Sequence, residues 1–191
     1  KLWNTSINWY FYVLLIYGLF CLSPPTLAAV AVSSNGSQEI TAGTSSADIG
    51  FEVIDELGHP DTGATIKFSL VDPSGKLITN GLSTNLGSPS SSGQVFTRLN
   101  ATGVIGIYTI TATLLTDATQ FASTYVIVTA GAPASLTVVS GAKQNLVAGE
   151  TSAPLTFRLT DMFGNVLPGH LVNFSIKTSS TGIADSNLIP N

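Results

Sequence analysis

The sequence predicts an all-β protein: tandem two-sheet β-sandwiches, the second incomplete, after an N-terminal apolar helix. Three observations carry the prediction. Short runs alternate apolar with polar residues, turn-forming residues interrupt the chain about every ten positions, and one long segment occurs twice.

The repeat sets the frame. Shifting the chain by 106 positions aligns residues 28–70 with 134–176 without a gap, and fourteen of the forty-three pairs are identical. Chance gives about three. The identities include Val32, Gln38, Phe51, Asp55, Gly58, Gly63 and Phe68. Other pairs exchange one apolar side chain for another, Ile49 for Leu155 and Ile66 for Val172. Solenoid repeats run to roughly 20–50 residues, so a period this long fits whole domains in tandem.

Each copy begins with strand-like runs. Val30 and Val32 open the first, Leu136 and Val138 the second. Ile49, Phe51 and Val53 then alternate with Gly50 and Glu52, as Leu155, Phe157 and Leu159 do with Thr156 and Arg158. Side chains on a strand point alternately to opposite faces, so each run offers one apolar face and one wetter face. Ile66, Phe68 and Leu70, and in the second copy Val172, Phe174 and Ile176, repeat the pattern. Between these runs lie "DELGHPDTG" and "DMFGNVLPG", rich in residues that turn the chain. "GQVFTRL", "GIYTITATL" and "STYVIVTA" add later strands of β-branched and aromatic residues. The expected domains are residues 30–132, a complete seven-strand-like sandwich, and residues 133–191, the N-terminal half of another. The first core is expected to bury Ile49, Phe51, Val53, Ile66, Phe68, Leu70, Tyr108 and Ile110.

Several of these stretches resemble the bacterial immunoglobulin-like repeats of the invasin and intimin type: "VTAGAPASLTVVSG", "LTFRLTDMFGNVLPGHLVNFSI" and "GIYTITATL". That family has a D-x-x-G-x-x-x-x-G turn between two early strands, here Asp55, Gly58 and Gly63, then Asp161, Gly164 and Gly169. Its late G-x-Y-x-(I/V)-x-A strand corresponds to Gly106, Tyr108, Ile110 and Ala112. The resemblance covers roughly residues 30–191 and implies an immunoglobulin-like fold. It also implies a role as stalk, spacer or adhesive tip. Intimin-like proteins carry an outer-membrane β-barrel ahead of their repeats, and the segment before residue 30 is too short for one.

Composition fits an extracytoplasmic setting. Charged residues make up 9% of the chain, and 45 Ser and Thr residues supply polarity instead. A net charge of −4 without a Lys/Arg cluster argues against a nucleic-acid surface and a polybasic lipid patch. The single cysteine, Cys21, has no intrachain partner. It lies in residues 1–29, where an apolar run from Trp9 to Leu22 is followed by Pro24, Pro25 and small residues. This layout reads as a secretory signal peptide cleaved after Ala28 or Ala29. The alternative is a retained membrane anchor, although fourteen apolar residues span roughly 21 Å against a hydrocarbon core of about 30 Å. A lipoprotein signal fits less well, because Leu19 and Phe20 precede Cys21.

The residues suited to chemistry are few. His59 and His170 fall at non-equivalent positions of the two copies, each in a Gly/Pro turn, and read as exposed turn residues. No zinc-spaced Cys/His cluster, G-x-S-x-G, H-E-x-x-H or phosphate-binding glycine loop occurs. Asp55, Glu56 and Asp61 come nearest to a calcium loop. The second copy keeps only Asp161, with Met162 and Leu167 at the other positions, so the trio reads as a solvated turn. The expectation is no catalytic, cofactor-binding or metal site, and no cleft formed around either histidine. Acceptor triplets for N-glycosylation at Asn4, Asn35, Asn100 and Asn173 are about as frequent as Ser/Thr-rich composition produces.

The functional expectation is a non-catalytic surface scaffold or adhesin-type protein, its repeats forming a semi-rigid stalk or interaction module. The short Ala/Pro joint "TAGAPAS" at 129–135 favours stiffness. Expected partners are a protein or glycan on a surface, or neighbouring repeats, with membrane contact only through residues 1–29 if uncleaved. The alternatives are the spacer of a larger secreted enzyme, or a membrane-anchored accessory subunit of an envelope complex or filament. Residues 86–133 have no counterpart in the second copy. Either the chain is a fragment of a longer repeat protein, or another chain donates the missing strands.

Overall fold

The computed structural model describes residues 28–175, and their regular structure is entirely strand. The N-terminal apolar segment with Cys21 and Asn4, and Ile176 with all that follows it, lie outside the described residues. The described residues divide into two compact units, one ending at Thr129 and the other starting at Ala130.

The first unit contains β1 (Ala29–Ser34), β2 (Gln38–Thr41), β3 (Ile49–Ile54), β4 (Ile66–Val71), β5 (Leu77–Ile78), β6 (Leu86–Gly87), β7 (Gln94–Thr97), β8 (Gly106–Leu114) and β9 (Phe121–Thr129). One sheet has the order β1-β3-β7; the other runs β2-β9-β8-β4-β5, with β6 also on β4. Nine strands stand where seven are expected, partly because the opening strand divides between the sheets. β1 pairs antiparallel with β3, while β2 pairs parallel with β9. The crossing begins at a bulge between Val32 and Ser34 and passes through Asn35 at φ 48°. The Gln38 amide holds it in place: Nε2 donates to the Asn35 carbonyl (3.0 Å) and Oε1 accepts from the Ala47 amide (2.9 Å).

Alternation decides what is buried. All eight side chains expected in the core are at most 3% exposed. Val95, Leu114, Val126 and Val128 join them from the later strands, and Leu99 from the segment after β7. The rings of Phe51 and Phe68 meet across the sheets with centroids 5.7 Å apart. Tyr108 is buried as a ring, and its hydroxyl donates to the Val104 carbonyl (3.0 Å), which satisfies the one polar atom that burial would otherwise strand. On the surface, Arg98 at the end of β7 grips both carboxylate oxygens of Asp48, next to β3.

The second unit contains β10 (Ser135–Ser140) and β11 (Thr156–Thr160), paired antiparallel. The pairing repeats the first unit position by position. Ala29↔Ile54 becomes Ser135↔Thr160, Val32↔Phe51 becomes Val138↔Phe157, and the bulge recurs between Val138 and Ser140. Gln144 repeats the amide clamp on Gly141 and Ala153. Phe157 and Phe174 repeat the ring pair at 4.9 Å.

One expected strand is not seen among the described residues. Residues 171–175, with Val172 and Phe174, have no strand assignment. In the first unit the equivalent strand, β4, is held by ladders to β8, β5 and β6. None of those three has an equivalent among the described residues of the second unit, and an extended segment without a ladder partner is not a strand.

The two ring pairs should therefore differ in worth. Phe51→Ala or Phe68→Ala is expected to cost about 3–5 kcal/mol in denaturant unfolding, as for buried aromatics generally. Phe174 is 45% exposed; Phe174→Ala is expected to cost about 1 kcal/mol. Equal losses at Phe68 and Phe174 would contradict this reading of the core.

Candidate functional site

The aspartates that look most like ligands are occupied by their own turns. Asp55 Oδ1 accepts from the Leu57 and His59 amides at 2.8 and 2.9 Å. Asp61 Oδ1 accepts from the Gly63 amide at 3.0 Å. Asp72 Oδ1 accepts from the Ser74 and Lys76 amides, and Asp117 Oδ1 from the Thr119 amide. A carboxylate that accepts amide protons is stabilised in its charged form. The His59 amide, above all, holds Asp55 below its ordinary pKa; the Ser74 hydroxyl does so for Asp72, and the Thr119 hydroxyl for Asp117. Among the described residues no group of three or more His, Cys, Asp or Glu could hold a metal ion.

The histidines stay apart. His59 is exposed, with Nδ1 3.7 Å from Asp55 Oδ2. His170 is exposed, with Nδ1 3.4 Å from the Pro168 carbonyl. His170 borders an open groove of about 330 Å³ in the second unit. Its lining includes Leu136, Phe157, Leu159 and Val172, and Arg158 also borders it. In the first unit the counterparts Val30, Phe51, Val53 and Ile66 are buried, so the groove is lined by the equivalents of core residues. A second, shallower depression of about 260 Å³ lies on the first unit between β8 and β9, lined by Ile107, Thr109, Ser123, Thr124 and Tyr125.

Of the glycosylation triplets, Asn35, Asn100 and Asn173 are exposed. The Asn35 amide nitrogen donates to the Asp48 carbonyl, and the Asn100 side-chain oxygen accepts from the Ser45 hydroxyl.

Sequence reasoning overlooked Asp161. It occupies the position of Asp55 but is 2% exposed. Oδ1 accepts from the Phe163 and Asn165 amides, both at 2.9 Å. Oδ2 accepts from the Asn165 side chain (2.8 Å) and from the Gly131 amide (3.0 Å), thirty residues upstream. The turn carboxylate thereby also fastens the segment that leads into β10. Asn165 in place of His59 was the only sequence signal for the added bonds.

Among solved structures, invasin, a bacterial integrin-binding protein, matches at 24% identity and a TM-score of 0.52, over 76% of this chain and 29% of its own. FdeC, an Escherichia coli adhesin, matches at 17% identity and a TM-score of 0.48, over 76% and 44%. InvD of Yersinia pseudotuberculosis matches at 20% identity and a TM-score of 0.42, over 75% and 43%. The chain thus spans less than half of each of these structures. No family model matches the sequence, and no curated protein matches it either. The invasin match bears on the fold alone, and it agrees with the immunoglobulin-like β-sandwich that the sequence resemblance implies.

Asp161 gives a pH prediction. Burial works against its ionised form, but the bonds from Asn165, Gly131 and Phe163 outweigh it and lower its pKa to about 2. An unfolded aspartate titrates near ~3.9. The stabilisation is complete above that value and is lost as pH falls through about 2. A carboxyl titration by carbon NMR should place the Asp161 midpoint near 2. Asp161→Asn should flatten the decline of second-unit stability between about pH 4 and 2 and speed exchange of the Gly131 amide. An unshifted Asp161 midpoint would refute the assignment.

Proposed function

We propose that the chain is a non-catalytic, extracytoplasmic scaffold of adhesin type, whose immunoglobulin-like units act in tandem as a semi-rigid stalk or interaction module. The observation that carries this reading is the repeated register: β10–β11 pairs residue for residue as β1–β3 does. One module used twice suits a device that sets distance and presents surface. Three further points support it: the invasin-like fold, the low charge with Ser/Thr-rich polarity, and the short joint at 129–135. Described residues that resemble ligands or nucleophile partners serve turns instead, as Asp55 and Asp161 do. The partner this reading implies is a protein or glycan on a facing surface. Residues 1–29 act as the export signal or anchor.

A tag in an open turn tests the placement. A Cβ at Gly75, where φ is 83°, would meet no atom within 4 Å, so the Asp72–Lys76 turn has room for an insertion. In intact bacteria that produce the tagged chain, the tag is expected to bind antibody and to be removed by added protease. Labelling only after complete lysis would exclude the surface role.

A further inference from the structure

We propose that Asn80 is a self-modifying site: in the folded chain its side-chain amide turns into a carboxylate through attack by the Gly81 backbone nitrogen. Asn35, in the other of the two Asn-Gly pairs, is held unreactive. This does not rest on the surface role.

The reaction needs only the chain and water. The Gly81 amide gives up its proton, and its nitrogen bonds to Asn80 Cγ to close a five-membered imide. The Cγ–Nδ2 bond breaks, and ammonia leaves with that proton. Water then opens the imide at one of its two C–N bonds. One opening gives aspartate; the other gives isoaspartate, whose backbone runs through the side-chain carbon and is one methylene longer. A glycine in the second position leaves the attacking nitrogen unshielded.

The sequence marks both pairs, and the structure separates them. Asn80 is exposed, and among the described residues neither its side chain nor the Gly81 amide has a hydrogen-bond partner. Asn80 Cγ is therefore free to swing over that nitrogen. Gly81 sits at φ 123°, so the backbone itself demands glycine there. Asn35 is exposed as well, but it is fastened. Its Nδ2 donates to the Asp48 carbonyl at 2.9 Å, and its own carbonyl accepts from Gln38 Nε2 at 3.0 Å. Beyond it, the Gly36 carbonyl accepts from the Thr124 hydroxyl. The Asn35 amide must break free before its carbon can reach the next nitrogen.

Conversion at Asn80 also acts on the fold. The Gly81 carbonyl accepts from the Asn100 amide at 2.7 Å, and Leu82 bridges to the fully buried Leu99. These contacts tie the segment after β5 to the segment after β7. An added methylene directly before Gly81 displaces the first of them.

The test incubates the full chain in mildly alkaline buffer, native and in urea, and maps residues 35 and 80 by peptide fragmentation that distinguishes isoaspartate. In the native chain Asn80 should convert at least about tenfold faster than Asn35, since each hydrogen bond to be broken slows the reaction by roughly fivefold. The rate should rise with pH, because the attacking nitrogen must lose its proton. In urea the two should convert alike. The isoaspartate form should exchange its Asn100 amide about fivefold faster, whereas Asn80→Gln, incubated in the same way, should show neither conversion nor faster exchange. Equal rates at Asn35 and Asn80 in the native chain, or no conversion at Asn80, would overturn the proposal. A preference for Asn80 that persists in urea would overturn its structural cause, and unchanged Asn100 exchange in the isoaspartate form would overturn its effect on the fold.

Discussion

An apolar strand face must be covered by a second layer, and nearly everything else in this protein follows from that. Phe51 and Phe157 occupy equivalent positions in equivalent ladders, but Phe51 is fully buried and Phe157 only in part. The difference is the opposing sheet. Over Phe51 it brings Phe68, Leu70, Tyr108, Ile110 and Val126 from three strands that are distant in sequence. At about 25 cal/mol per Å² of apolar surface removed from water, those long-range contacts supply most of the stability of the first unit.

Among the described residues, the second unit repeats only the first of the two layers. Its β10–β11 register, its bulge and its D-x-x-G turn all match the first unit. Each is held by contacts that do not need a second sheet. The Gln144 amide bridges Gly141 and Ala153, and Asp161 gathers amides from its own turn and from Gly131. These groups lock register through short-range geometry, and register in turn fixes which face is apolar. Local polar bonds set the frame, and the second sheet then makes it stable.

That division also explains what the sequence could disclose. Strand alternation and the Asp/Gly turns are local, so the eight core side chains and both turns were readable from residue type and spacing alone. The 106-residue repeat located the equivalent positions, including Gln38 and Gln144, but gave no hint that an amide side chain was the clamp. The parallel pairing of β2 with β9 was not readable either, since it joins residues about 88 positions apart through a bulge that no residue type announces. Val172 and Phe174 mark the opposite limit. Their alternation predicts a strand correctly in the first unit and not in the second, because a ladder belongs to two segments and a sequence pattern to one.

Where the two copies differ, the shared backbone register allows it. Gly50 is constrained: a Cβ there would lie 2.4 Å from Ser34 Oγ and 2.9 Å from the Phe96 ring that crosses it. The second copy has Thr156 at that position, a residue with a Cβ. Glu52 and Arg158 reverse a charge on the same outward face, and His59 gives way to Asn165 in the same turn. None of these exchanges disturbs the shared register. The frame is thus indifferent to the chemistry it displays, which is the property a repeated module needs if successive copies are to meet different neighbours.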